Sequence, residues 1–313
     1  MLVLLCIPGR AEAACTTSSG TADLGTLGSF AAATSQTAEA TTGFVCTGGL
    51  LSLVSTNTIT ATVTSATNSQ GTQARLHNAV SGDYIPYSIC QDAACNQTYG
   101  VGSQIVWSET TFLGILGLFN SSDGSLPIYL RTGSGNHVAA GTYTSTISIQ
   151  WDWHLCAVGL FGLCIYDDGT DTSTINVTMV VTADCVLSAP PVNFGSAAFA
   201  GSFDPVTQTL TVRCTKGENY SVGIDNGLHY AANRRLSDGT NFISYEIYYP
   251  QGSNDRWGFS AGERRSSNEA TTGGGIYTGT SDQTYTFRAE ILAGQITPPA
   301  ATYSDTLTVD IQF

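Results

Sequence analysis

The strongest constraint on this chain is that its two halves repeat each other. Cys15 is followed 31 residues later by Cys46, and Cys185 is followed 29 later by Cys214. A related phrase comes after each first cysteine: Leu-Gly-Thr-Leu-Gly-Ser-Phe at 24–30 against Phe-Gly-Ser-Ala-Ala-Phe at 194–199. Tyr84-Ile85-Pro86-Tyr87-Ser88-Ile89 then matches Phe242-Ile243-Ser244-Tyr245-Glu246-Ile247, and Arg75-Leu76 matches Arg235-Leu236. The strand-like run at 141–151 corresponds to the closing run at 301–313. Two copies of one fold must follow. The texture inside each copy is alternation of Thr with Val or Ile, as in Thr-Ile-Thr-Ala-Thr-Val-Thr at 58–64. Such alternation suits half-buried strands, and no long stripe of helical period interrupts it. The expectation is an all-β chain of two β-sandwich domains, residues 14–182 and 183–313.

The copies end differently. Copy two stops on the alternating strand Leu307, Val309, Ile311 and Phe313, whereas copy one continues past the equivalent Trp151 and adds one more strand at 174–182. The C-terminal sandwich is therefore expected to lack its last strand. An open edge of this kind invites aggregation unless another chain supplies the strand.

Between those points in copy one lies an uncharged apolar stretch, residues 153–166, with Cys156 and Cys164 bracketing Ala-Val-Gly-Leu-Phe-Gly-Leu. Its 14 residues are too few to span a bilayer, which takes about 20. Gly159 and Gly162 sit inside the run, where a turn would use them. The pattern predicts a hairpin with an apolar, disulfide-stapled tip carrying Val158, Leu160, Phe161 and Leu163. A second apolar run carries Phe112, Leu113, Ile115, Leu116, Leu118 and Phe119, where copy two has the polar Arg-Arg-Ser-Ser-Asn-Glu of 264–269 in about the same place. A core role would put apolar residues in both copies, so these runs are expected to be exposed contact loops. For a third loop there are two candidates, the turn closed by Cys90 and Cys95 and the segment Leu50-Leu51-Ser52-Leu53; the second is expected to be a core strand.

Residues 1–13 combine an apolar run with small residues at Ala11 and Ala13, the pattern of a signal peptide, here cut short at its start. Cleavage there removes Cys6 from the nine cysteines and leaves eight, an even number that implies disulfides in an oxidising compartment. Local pairing, supported by the repeat, joins Cys15 with Cys46, Cys90 with Cys95, Cys156 with Cys164 and Cys185 with Cys214. With at most Ala14 ahead of Cys15, the mature chain could receive a strand but has none to give, so it should cap a polymer.

Charge excludes some partners. The net charge is −13, and from residue 14 to 182 only Arg75 and Arg131 are basic against ten acidic residues, which argues against nucleic acid. No nucleophile elbow, metalloprotease or P-loop motif is present, so no catalytic residues, cofactor or metal are expected. The acidic run 167–171 lacks calcium-loop spacing and reads as a solvated turn.

These residues together resemble the spore coat protein U domain family: Asn193-Phe194-Gly195, the spacing of Cys185 and Cys214, and the terminal strand from Tyr303 to Phe313. The likeness is close over 183–313 and looser over 14–182. Two such domains in tandem with apolar loops are similar to the two-domain tip adhesins of archaic, Csu-type chaperone–usher pili. The resemblance implies an immunoglobulin-like pilin domain lacking its last strand, a periplasmic chaperone, an outer-membrane usher, and a neighbouring subunit that donates a strand. It also implies export through the periplasm of a Gram-negative bacterium, an extracellular place at the pilus tip, and biofilm formation on hydrophobic abiotic surfaces. Two alternatives stay open: a glycan- or protein-binding tip in which Tyr84, Tyr87, Trp107 and Trp153 line a pocket, and a non-adhesive structural or initiator subunit.

Overall fold

The computed structural model describes residues 14–41, 43–47, 56–110, 126–160, 163–279 and 281–313. Two compact units divide the chain, Met1–Thr182 and Ala183–Phe313. Both are β-structures; the only α-helix among the described residues is the single turn Ser29–Ala32.

The N-terminal unit holds twelve strands: β1 (Ala14–Ser18), β2 (Gly20–Gly28), β3 (Thr37–Glu39), β4 (Gly43–Thr47), β5 (Thr56–Ala66), β6 (Ala74–His77), β7 (Tyr84–Cys90), β8 (Thr98–Tyr99), β9 (Gln104–Thr110), β10 (Tyr129–Thr132), β11 (Gly141–Leu160) and β12 (Leu163–Thr182). Ten of them form one sheet, along the path β2-β12-β11-β6-β7-β10-β3, with β5 bridging β11 to β9 and β8 on β7. β1 and β4 form a separate ribbon. The two ends of the path approach each other, because the Thr41 amide donates to Thr21 O at 2.8 Å and the Thr21 amide to Thr41 Oγ1 at 2.9 Å. Alternation in the sequence becomes alternation of faces: Ile59, Ala61 and Val63 of β5 are buried, as are Ile175, Val177, Met179 and Val181 of β12. At the centre, Trp151 stacks on Trp107 (6.0 Å) and leans on Phe44 (5.9 Å), while its indole N–H donates to Ser173 Oγ at 2.8 Å. Burial pushes the Tyr87 hydroxyl up to about 12, despite its hydrogen bond with Ser145.

The C-terminal unit is an immunoglobulin-like sandwich. Its strands are β13 (Cys185–Ser188), β14 (Val206–Cys214), β15 (Ser221–Ile224), β16 (Arg234–Ser237), β17 (Phe242–Tyr248), β18 (Arg265–Ser266), β19 (Gln283–Ile291) and β20 (Val309–Gln312). One sheet runs β13-β14-β19-β17-β16 and the other β18-β15-β20. Leu210, Val212, Ile247 and Phe287 from the first pack against Val222 and Ile224 from the second, around the fully buried Trp257.

Disulfides join Cys90 with Cys95, Cys156 with Cys164 and Cys185 with Cys214. Cys15 is also disulfide-bonded, and the β1–β4 register sets it opposite Cys46.

Three sequence readings need revision. The segment after Arg264 is not simply a polar loop. Arg264 is nearly buried and grips two strands at once: its guanidinium donates to both Asp310 carboxylate oxygens (3.0 Å each) and to Ser221 O (2.9 Å). The terminal strand is shorter than its alternation suggests, since its ladder with β15 covers only Val309–Gln312, and Phe313 is 61% exposed. Finally, the acidic run 167–171 is not a turn but part of β12, with Asp167 opposite Leu155 and Asp171 opposite Trp151. Local composition signalled a turn; cross-strand pairing of an unusually long hairpin overrode it.

Candidate functional site: a stapled hairpin and an open sandwich edge

β11 and β12 pair along 20 residues each, from Gly141 opposite Val181 to Leu160 opposite Leu163. The neighbouring strand β5 stays with β11 only as far as Thr58 opposite His154. Among the described residues the hairpin runs on beyond that point without a paired neighbour, and several contacts fix its base. The fully buried Asn57 presents Oδ1 to the Cys156 amide at 2.8 Å, replacing the ladder bond that β5 no longer offers. Cys156 is itself buried and closes the disulfide to Cys164 across the hairpin, next to a register shift between Cys156 and Val158. Trp153 lies against Gly169, the residue directly opposite; a Cβ at Gly169 would come within 2.3 Å of the indole, so only glycine fits there. That indole also meets Phe44 edge-on at 5.2 Å.

Outside the base sit polar and exposed groups. His154 Nδ1 lies 2.5 Å from Asp168 Oδ1, and its ring stacks on Tyr166 at 3.9 Å. Ile165 is 71% exposed. The Thr17 hydroxyl and the Thr172 amide hold the Asp171 carboxyl below the usual carboxylate range, tying β1 to β12.

Asn57 was not singled out in the sequence, because one asparagine in a Thr-rich run carries no signal. Removing it leaves the buried Cys156 amide without an acceptor, which costs about 1–3 kcal/mol. Asn57→Ala should lower stability by that amount and speed amide exchange at Cys156, measured by urea unfolding and hydrogen exchange.

Phe112, Leu113, Ile115, Leu116, Leu118, Phe119 and Phe161 lie outside the described residues, as does the segment Leu50-Leu51-Ser52-Leu53 expected to be a core strand. Val158, Leu160 and Leu163 fall in the hairpin strands. What the structure brings together are the chain positions flanking these runs. Thr110, from which residues 111–125 continue, pairs with Thr56, beside Asn57 and hence the hairpin base. Thr56 also closes the segment 48–55. That segment begins after Thr47, paired with Ala14 on the β1 ribbon that runs along β12 toward the hairpin. Three apolar-bearing segments therefore start or end around one pole. The alternative loop between Cys90 and Cys95 is instead pinned down by Arg131, which donates to Ala94 O (2.9 Å) and Ala93 O (3.2 Å).

The aromatic residues considered for a sugar pocket do not meet on one surface. Tyr87 and Trp107 are buried, Trp153 is packed between Phe44 and Gly169, and Tyr84 is exposed beside His77 and Arg75.

The C-terminal unit carries a cleft of about 380 Å³ between residues 189–194, which follow β13, and residues 305–309, which lead into β20. Val192, Phe194, Leu210, Leu236, Ile247, Phe287 and Leu307 make it largely apolar. Among the described residues, β20 pairs with β15 on one side only. In the N-terminal unit the corresponding strand, β11, has β5 on one side and β12 on the other, and β12 in turn lies parallel to β2. The cleft thus occupies the place that β12 fills in the first copy.

The Spore Coat Protein U domain matches residues 3–150 and 171–310. The chain belongs to this family, with two copies of the domain. Among curated proteins, no sequence matches it. Among solved structures, this two-domain spore coat protein U chain is similar to one from the CsuC–CsuE chaperone–tip adhesion subunit pre-assembly complex of the archaic chaperone–usher Csu pili of Acinetobacter baumannii. The TM-score is 0.67 at 26% identity, covering 96% of this chain and 100% of that one. CfaE, the adhesive subunit of CFA/I fimbria of enterotoxigenic Escherichia coli, matches with a TM-score of 0.30 at 13% identity over 55% of this chain and 49% of its own. The CupB6 tip adhesin of Pseudomonas aeruginosa gives 0.30 at 10% identity over 88% and 86%. The family and the Csu relative are pilus components without enzymatic activity.

Proposed function

We propose that this spore coat protein U chain is the tip adhesin of a chaperone–usher pilus, attaching cells to hydrophobic abiotic surfaces through apolar loops at the hairpin pole and so starting biofilm formation. The observation that carries the reading is the convergence of the flanks of three apolar segments on a disulfide-stapled hairpin base, in a chain similar over its length to a Csu pilus tip subunit. The C-terminal cleft supports incorporation by strand donation, first from a periplasmic chaperone and then, at the outer-membrane usher, from the adjacent subunit. The finished protein would stand outside the cell at the pilus tip.

Magnitudes favour many weak apolar contacts over a single pocket. Burying one Leu or Phe contributes roughly 1.5–3 kcal/mol. Partial burial of Leu113, Ile115, Leu116, Leu118, Leu160 and Phe161 on a plastic or waxy surface adds up to several such units, less the cost of ordering. The disulfide between Cys156 and Cys164 reduces that cost by holding one loop in shape, and many pili per cell multiply the result through avidity. A lectin tip would need convergent aromatics, and Tyr84, Tyr87, Trp107 and Trp153 do not share one surface. Attachment of piliated cells to polystyrene should therefore persist in excess mono- and oligosaccharide. Loss of attachment with one sugar would point to a lectin instead.

A further inference from the structure

The groove walls of the two units are related by a constant offset of 170 residues, from Cys15 and Cys185 through to Gly25 and Gly195. In the N-terminal unit the wall is β2, and the offset carries two local features into the open groove. Gly25 has φ +90° and its amide donates to Asp23 Oδ1 at 2.9 Å. Gly195 has φ +77° and its amide donates to Asn193 Oδ1 at 2.8 Å. The same kink exists in both walls, each built on an Asx residue two places before a glycine of positive φ, and in the N-terminal wall it forms a bulge in the pairing with β12.

In the filled copy the bulge decides the register. Thr178 lies opposite Asp23, but Val180 lies opposite Thr26, so Met179 faces the two residues Leu24 and Gly25. Met179 is fully buried there. In the open copy the matching wall residues are Phe194 and Gly195, and Phe194 lines the cleft.

The second feature is a difference. Thr21 turns its N–H and C=O to Thr41, so by strand alternation its neighbours Gly20 and Ala22 turn theirs to β12. At the same offset the open wall has Pro190, Pro191 and Val192. Pro190, in the place of Gly20, has no N–H to offer an incoming strand. Pro191 likewise offers none on the outer side. Val192 keeps both groups.

We infer that the open groove accepts a partner strand in the register of β12. This inference rests on the strand-donation reading above. The strand runs parallel to residues 189–199 and antiparallel to β20, with apolar side chains at four alternate positions. The third of these, opposite the Asn193–Gly195 kink, is a long unbranched side chain in the manner of Met179. Pro190 denies the strand a wall donor at the groove mouth, so its ladder there rests on β20 alone. The proline pair thereby discourages unspecific edge pairing, and the kink rejects strands out of register.

The probe is a nonapeptide with the sequence of residues 174–182, added to the full-length protein while hydrogen exchange is followed at 189–199 and 305–313. The expected result is protection of both segments, weakened at least tenfold when the peptide carries Met179→Asp or has its apolar phase shifted by one residue. Gly195→Ala and, as a milder variant, Asn193→Ala should reduce affinity for the unaltered peptide, while Pro190→Ala should add protection at the groove mouth. If in-phase and shifted peptides protect equally, or both kink variants bind as the parent does, the register inference is overturned and strand donation survives. If no apolar strand protects β20, strand donation itself falls.

Discussion

Replacing Glu246 with Leu should cost the C-terminal unit about 3–5 kcal/mol, enough to leave it largely unfolded if its stability is in the usual range of about 5–15 kcal/mol. Glu246 is 3% exposed and its carboxylate satisfies three donors: the Arg234 amide (3.0 Å), the Arg234 guanidinium (3.1 Å) and Arg256 Nε (2.9 Å). Arg234 is completely buried, and its remaining donors go to the carbonyls of Ile224, Asp225 and Trp257. Removing the carboxylate strands a buried guanidinium without its ion-pair partner, which costs far more than the pair contributes. Burial already presses the Arg234 pKa downward, with Glu246 opposing it. Because Arg234 ties the end of β15 to β16, the damage should reach Ile224 in the groove wall. Urea unfolding followed through Trp257 measures the cost, and a midpoint within about 1 kcal/mol of the parent would contradict this account of the network.

Loss of the disulfide between Cys185 and Cys214 ranks next. The two cysteines face each other across β13 and β14 at a sequence separation of 29. Closing a loop of that length constrains the unfolded chain by about 3–4 kcal/mol. Here the effect is sharpened because β13 is an edge strand leading directly into the groove wall at 189–194. A Cys185→Ser/Cys214→Ser variant should unfold at correspondingly lower denaturant and become more prone to aggregate. Added strand peptide should restore part of the loss. A double variant as stable as the parent would mean that the sandwich does not depend on that staple.

Much of this architecture is legible in the chain itself, for physical reasons that can be named. Thr/Val/Ile alternation forces faces on a strand, and so Ile59, Ala61 and Val63 end up inside together. The repeat sets residues 141–151 against 301–313, so the correspondence of β11 with β20 can be read directly. Cysteines flanking an apolar, glycine-containing run give the hairpin. Legibility ends where partners are distant. Nothing near Arg234 in sequence announces that Glu246, Arg256 and Trp257 will surround it, and the Arg264 clamp on Asp310 spans 46 residues. Asn57 reaching Cys156 spans 99. The acidic run 167–171 misleads because Asp and Gly are turn formers locally, whereas Gly169 is there to admit Trp153. The sugar-pocket alternative failed on geometry: composition cannot distinguish aromatics that meet on a surface from those that fill a core.

The most direct test of the adhesive reading is attachment of cells to polystyrene after Leu116, Leu118, Leu160 and Phe161 are replaced by Ser, with pili counted on the same cells. These four side chains together represent several kcal/mol of apolar contact per tip, and every 1.4 kcal/mol or so is about tenfold in binding. The account predicts attachment at least roughly tenfold lower with pili in normal number and length. Unchanged attachment on equally piliated cells would contradict it and remove the apolar loops from the contact.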